Sequence, residues 1–476
     1  MIYIAVSRSH ALVLPAVALA GLAMLAIADA APVPFLFSVF LGIYCGAVIW
    51  REYRAQSLVS PLAIYGVLFA VHFAVPGMFF SASENHFVDE RNAAYLGQAI
   101  AYIALCFVGV HVGCRLAESA AQPTTQSLRA TRFLPRRPAF VVLALTLLGF
   151  AARAVVLEAD AYFQITRTDA GALAGSYQGL IRTVELFPLF ALALWSFYHF
   201  SKKHPTRASR WALFFLFIIE FGYWLPTGRK EGLILAIAIP LVARYMAVKR
   251  LPSLRVGVTA AVLIVVLIPI MTYYRSAMEL VRLTGASSTE VIVEAAGAAN
   301  VVANLEDASP IQLVLNRFSL VEPVSACIRL YENSEFVIAP GQPYLVAIAA
   351  LIPRLLWPDK PDLHYGTQFG HASGLSYPTD WATSISVTFP GEAFLNLSWG
   401  GVLVMFVLGF GFSALYHAQR WGVRWQFLYL VSLPTLLYIG GTFAIYFSGL
   451  AKLLLFFYLI SFWITARGSD SSARFL

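Results

Sequence analysis

Charge is scarce in this chain: Asp, Glu, Lys and Arg make up 12% of its 476 residues, against 59% hydrophobic ones. A string of soluble domains, in which about 25% of residues are charged, is thereby excluded. Cysteine is rarer still. Of the four, Cys45, Cys106 and Cys114 fall in apolar stretches and only Cys327 lies outside them, which excludes a disulfide framework and any metal-binding Cys spacing. The Gly-x-x-x-x-Gly-Lys spacing of a nucleotide phosphate loop is also missing. No internal repeat is found, and low-complexity sequence is limited to the polar stretch from Ala117 to Ala130.

Long apolar runs are what the chain has instead. Twelve extend over 11–28, 34–50, 58–80, 92–114, 138–158, 180–200, 211–226, 231–247, 256–274, 399–417, 426–445 and 450–466. Each approaches the ~20 residues that a ~30 Å hydrocarbon layer requires of a helix. The sequence therefore predicts an all-α polytopic integral membrane protein with about 12 transmembrane helices. Its three parts are helices 1 to 9 over 1–275, a large loop over 276–398, and helices 10 to 12 with a tail over 399–476. With both termini on the cytoplasmic side, 20 of the 33 Lys and Arg lie inside, together with only 3 of the 25 Asp and Glu. The Lys/Arg bias alone sets this orientation. It also accounts for the net charge of +8 without a nucleic-acid partner, because the excess is spread over short loops. The first 32 residues carry Arg8, an apolar run and Ala28-Asp29-Ala30, which resemble a secretory signal. The run is long for such a signal and is read as a retained span.

The loop over 276–398 is far longer than ordinary connections, which marks it as functional. Ser287 and Glu290 have capping-box spacing, and Ser309, Pro310 and Gln312 supply the start of a second helix with Ile311, Val314, Leu315 and Phe318 on one face. Pro323 is expected to end or kink that helix. The run from Tyr344 to Trp357 is too short to span and reads as interfacial or re-entrant. Together these pieces predict a helical cap folded back on the outer membrane surface.

Positive residues that defy the inside bias are the chemical signal. Arg153, Arg182, Arg229, Lys230, Arg275 and Lys452 fall near the outer ends of spans, and Arg317 and Arg354 in the outer loop. Guanidinium forks match phosphate oxygens, so several around one point would hold a lipid-linked phosphate; taken singly, each would snorkel to headgroups. Intramembrane Glu185 and Glu220 are expected to fix neighbouring arginines. In Leu225-Pro226-Thr227-Gly228-Arg229-Lys230-Glu231-Gly232, a proline stop, a tight reversal and a new helix start bring free amides beside two cations. That is an anion site, or otherwise a charged hairpin tip. Glu392 and Asn396, four apart, share a helical face, where Glu392 is either a general base or a carboxylate satisfying helix amides. His371 is an alternative base; with His364 it is seven residues apart and lacks a third metal ligand. Glu158 and Asp160 form an acidic pair of the kind that can sit near a metal, or simply solvated charge at a helix end.

Three segments together resemble bacterial oligosaccharide repeat-unit polymerases of the Wzy type: Gly228-Arg229-Lys230-Glu231-Gly232, Ile352-Pro353-Arg354 with Trp357-Pro358-Asp359-Lys360-Pro361, and Gly391-Glu392 with Gly400-Gly401. The resemblance implies a bundle related to membrane glycosyltransferases of the GT-C type and to O-antigen ligases, in a bacterial inner membrane. It implies polymerisation of undecaprenyl-diphosphate-linked glycans into O-antigen or exopolysaccharide with no cofactor, nucleotide sugar or metal. A chain-length regulator and a flippase would be its working partners. Arg229 is the first position carried over as a diphosphate ligand, followed by Arg153, Arg275 and Arg317, with Lys230 and Arg354 beside them. The catalytic set expected is Arg229, Glu392 and His371. The paired Arg and Gly repeats that some members carry in two outer loops are not cleanly matched by the segment from Arg167 to Gly179 and the large loop. The chemistry suits the residues independently, since preorganised cations stabilise charge developing on a diphosphate leaving group. An O-antigen ligase or other lipid-linked-sugar glycosyltransferase shares this architecture. A transporter or flippase would instead gather its unusual residues near the midplane on broken helices.

Overall fold

A computed structural model describes residues 33–82, 89–121, 138–158, 178–227, 230–248, 318–336, 338–349, 365–380, 384–421 and 423–464, with isolated positions between 255 and 277, at 314–316, 351–352 and 357. Every regular element among them is a helix. The long ones are α1 (Val33–Arg54), α2 (Pro61–Ala82), α4 (Leu96–Ala120), α5 (Pro138–Glu158), α7 (Phe187–Ser201), α8 (Arg207–Trp224) and α9 (Lys230–Val248). Shorter α3 (Glu90–Ala93) and α6 (Gln178–Glu185) sit between them. In the C-terminal third follow α10 (Val321–Glu332), α11 (Gln342–Ala349), α12 (Gly366–Ser373), α13 (Phe389–Leu397), α14 (Val402–Ala418), α15 (Val423–Leu436) and α16 (Phe443–Ile464).

Among the described residues, seven helical stretches are long and apolar enough to cross a membrane. α1 buries Phe37, Leu41, Cys45 and Val48 along one stripe yet exposes Ile43 (68%) and Trp50 (58%) on the other. A helix apolar all round suits a lipid solvent. The first expected span lies outside the described residues, and the ninth is described only at isolated helical positions. The expected eleventh and twelfth spans are divided differently: α15 ends at Leu436, a non-helical stretch carries Gly440-Gly441, and α16 begins at Phe443. Pro434 and the two glycines weaken helix continuation there.

The tightest seam joins α4 to α14. Gly109 and Gly113, four apart, let the backbones meet, and Gly409 does the same from the other side. A Cβ at Gly113 would lie 2.1 Å from the Phe406 carbonyl oxygen, and one at Gly409 2.5 Å from that of Val110. Close approach brings the Cys114 thiol to the Gly409 carbonyl at 3.3 Å and the Ser413 hydroxyl to the Cys114 carbonyl at 3.1 Å. Gly113→Ala is expected to force the helices apart and cost about 1–3 kcal/mol, the usual penalty of overpacking. Thermal unfolding of the detergent-solubilised variant checks this; an unchanged midpoint contradicts it.

The described part of the expected cap is built into the bundle. α10 packs on α4 and α13 and buries Val321, Val324, Cys327, Ile328, Arg329 and Leu330. Pro323 does not end a helix. The chain leaves the helical conformation at Ser319 and Leu320, and Pro323 sits in the first turn of α10, where a missing amide proton costs nothing. Asn92, fully buried on α3, ties this region together. Its side chain accepts from Arg329 Nε at 2.9 Å and donates to the Ser373 carbonyl at 3.1 Å, while its own carbonyl accepts from the Ser325 hydroxyl. The expected helix at 287–305 lies outside the described residues, as does the start of the second at 309–313, whose described positions 314–316 and 318 are helical. Of the run from Tyr344 to Trp357, α11 takes up the first part as a short helix against α16.

Candidate functional site

Glu392 lies on α13, whose two ends are both unusual. Thr388, at φ 71°, precedes it and caps the Gly391 amide through its hydroxyl at 3.0 Å; Ser398, at φ 51°, follows it and breaks the path into α14. Left-handed backbone at non-glycine residues costs on the order of 1–3 kcal/mol each and persists where packing over-determines it, often at functional sites. Strain on both sides holds the short helix at its own angle.

The carboxylate is 1% exposed. Its Oε1 accepts from the Tyr365 hydroxyl at 2.5 Å, just ahead of α12, and its Oε2 accepts from the Phe443 amide at 2.5 Å. That amide is one of the donors left over at the start of α16, so the positive end of a long helix faces the carboxylate. Three elements thus meet at one side chain. Burial first, and then the Glu392 charge, push the Tyr365 phenol far above its usual range, so it stays a proton donor. The same causes, in the same order, raise the Cys327 thiol. Three more buried oxygens close to this region have no hydrogen-bond partner among the described residues: those of Tyr344 and Thr442 and the amide oxygen of Asn396. Asn396 shares the helical face expected for it and donates to the Glu392 carbonyl at 2.8 Å.

His371 sits on α12, with Nε2 2.7 Å from the Asp380 carbonyl oxygen. Within the bundle, Arg153 takes a role different from the expected phosphate ligand. Its two terminal nitrogens each donate to one Glu220 oxygen at 2.8 Å, its Nε donates to the Glu185 carbonyl, and its guanidinium lies 3.7 Å from the centre of the Tyr223 ring. Arg153 is 2% exposed and Glu220 0%. The pair neutralises itself inside the bundle, so Arg153 braces α5 against α8 and presents no open cation. Glu220 also accepts from Trp224 Nε1 at 3.3 Å, and Glu185 accepts from the Tyr223 hydroxyl at 2.6 Å.

At the turn after α8, Leu225–Thr227 form a tight helical turn and α9 starts at Lys230, as the motif implies. Gly232 has a steric reason: a Cβ there would stand 2.2 Å from the Trp224 ring. The Lys230 side chain, Arg229, Arg275, Arg317 and Arg354 lie outside the described residues, as do His364 and Asp160. Among the described residues, no three or more His, Cys, Asp or Glu are grouped to hold a metal. Tyr365 lies 27 residues before Glu392, and no local sequence signal marks it as the partner of that carboxylate. Comparison with protein-family models, with curated proteins and with solved structures finds no match to this chain.

Proposed function

We propose that this membrane protein polymerises undecaprenyl-diphosphate-linked oligosaccharide repeat units at the outer face of a bacterial inner membrane, by glycosyl transfer that needs no metal. The observation that carries this reading is the buried Glu392 carboxylate, held by donors from two other elements near the start of an apolar helical stretch of 33 residues. A base kept from water suits deprotonation of a sugar hydroxyl. Arg229, Lys230, Arg275, Arg317 and Arg354 are the cations proposed to hold the departing diphosphate. In this reading the bundle has twelve spans and a GT-C-like plan, with 276–398 outside and both termini inside. One observation favours a transporter instead: the break at Ser398, within an apolar stretch of 33 residues, resembles a discontinuous helix.

Deleting the protein in its host and sizing the surface polysaccharide separates the readings. Loss of long chains with a single repeat retained is the result expected of a polymerase. Free lipid-linked polymer means a ligase, and loss of all surface repeats means transport. The orientation has its own check. With Cys327→Ala as background, Ser334→Cys is expected to react with an impermeant thiol reagent in intact spheroplasts, and Thr125→Cys is not. Reversed labelling contradicts the sidedness.

A further inference from the structure

We infer that Tyr365, and not Glu392 itself, meets the acceptor sugar hydroxyl and hands its proton on to Glu392. This rests on the polymerase reading and specifies the contact through which the acceptor is activated. Glu392 is 1% exposed, and both of its oxygens are already engaged. At that burial a sugar hydroxyl has no direct approach to it past the groups that cover it. Of the two donors, the Phe443 amide has no lone pair with which to take up a proton. The Tyr365 hydroxyl does, and Tyr365 is half-buried as a residue where Glu392 is fully buried. Its oxygen can accept from a sugar hydroxyl while its own proton moves along the 2.5 Å contact to Glu392.

The step balances as one concerted shift. The acceptor oxygen bonds to the anomeric carbon of the donor glycan as the bond from that carbon to the diphosphate breaks, its electron pair leaving on the lipid diphosphate. The acceptor proton passes to the Tyr365 oxygen, and the Tyr365 proton passes to Glu392 Oε1. No free tyrosinate forms at any point, in keeping with a phenol that holds its proton tightly. After the product departs, Glu392 returns its proton through the same phenol to water. The Phe443 amide keeps the carboxylate aimed throughout.

The test uses the full-length protein in lipid vesicles with a lipid-diphosphate-linked repeat unit, following chain growth. Tyr365→Phe is expected to lower the rate at least ~100-fold, the scale of a lost proton-transfer group, with KM little changed. Wild type is expected to show a solvent isotope effect whose dependence on deuterium content is curved, because two protons move together. Incorporating 3,5-difluorotyrosine at position 365 preserves shape and hydrogen bonding while making the phenol more acidic. The relay predicts a changed rate and pH profile for that protein, which also decides the matter if Tyr365→Phe does not fold. Tyr365→Phe within about threefold of wild type, or a fluorinated protein with unaltered rate and pH profile, overturns the relay alone. A wild-type protein that makes no polymer overturns the relay and the polymerase reading together.

Discussion

Glu392→Gln is expected to reduce polymer formation by about 10²- to 10⁴-fold, the range a general base contributes, at unchanged protein level. Glutamine is nearly isosteric, and its carbonyl can still accept from the Phe443 amide while its NH₂ donates to the Tyr365 oxygen. Geometry survives and proton acceptance does not. The measurement is chain growth on lipid-linked repeat units, with binding of those units read separately and expected to persist. His371→Ala is expected to have the smaller effect. A loss of less than ~10-fold for Glu392→Gln reduces the residue to a cross-brace among α12, α13 and α16, and brings His371 or Asp380 forward.

Glu220→Ala is expected to destabilise the bundle by about 3–5 kcal/mol, because it leaves the Arg153 guanidinium buried without its counter-charge. Tyr223 still faces that cation, and the Glu185 carbonyl still accepts from its Nε, so the variant retains partial compensation. The double replacement Arg153→Leu with Glu220→Leu removes both charges. It is expected to recover most of the loss, since apolar side chains can take the place of a buried pair at little cost. Thermal unfolding in detergent and the yield of monodisperse protein measure both. If Glu220→Ala melts like wild type, Arg153 is not held by Glu220, and its expected role as an open phosphate ligand returns.

Much of the bundle was legible because membrane solubility leaves a crude signal. A helix in lipid must be apolar for most of its length, so α1, α2 and α5 stand within about four residues of their expected limits, while α4 runs on to Ala120. The pairing of Glu220 with a nearby arginine was legible for the same reason: an intramembrane acid needs a cation. Boundaries set by packing were not. Nothing in local composition says that Pro323 opens a helix instead of closing one, because either position avoids the missing amide proton. The break before Phe443 was masked by an apolar run that continues through Gly440-Gly441. The Gly109-x-x-x-Gly113 spacing is a readable sign of close helix contact. The Tyr365–Glu392 contact joins residues 27 apart through a tertiary fold, and no spacing rule reaches that far. The arginines proposed to hold the diphosphate rest on sequence alone.

The central claim is glycosyl transfer between two lipid-diphosphate-linked glycans without a metal. Its most direct test is the purified protein in sealed vesicles, supplied with one defined lipid-linked repeat unit in the presence of a strong chelator. The account predicts a ladder of products growing by whole repeats, one lipid diphosphate released per bond formed, and the same rate with or without chelator. Movement of intact units across the vesicle membrane with no ladder, or growth that stops when the chelator is added and returns with a divalent cation, would contradict it.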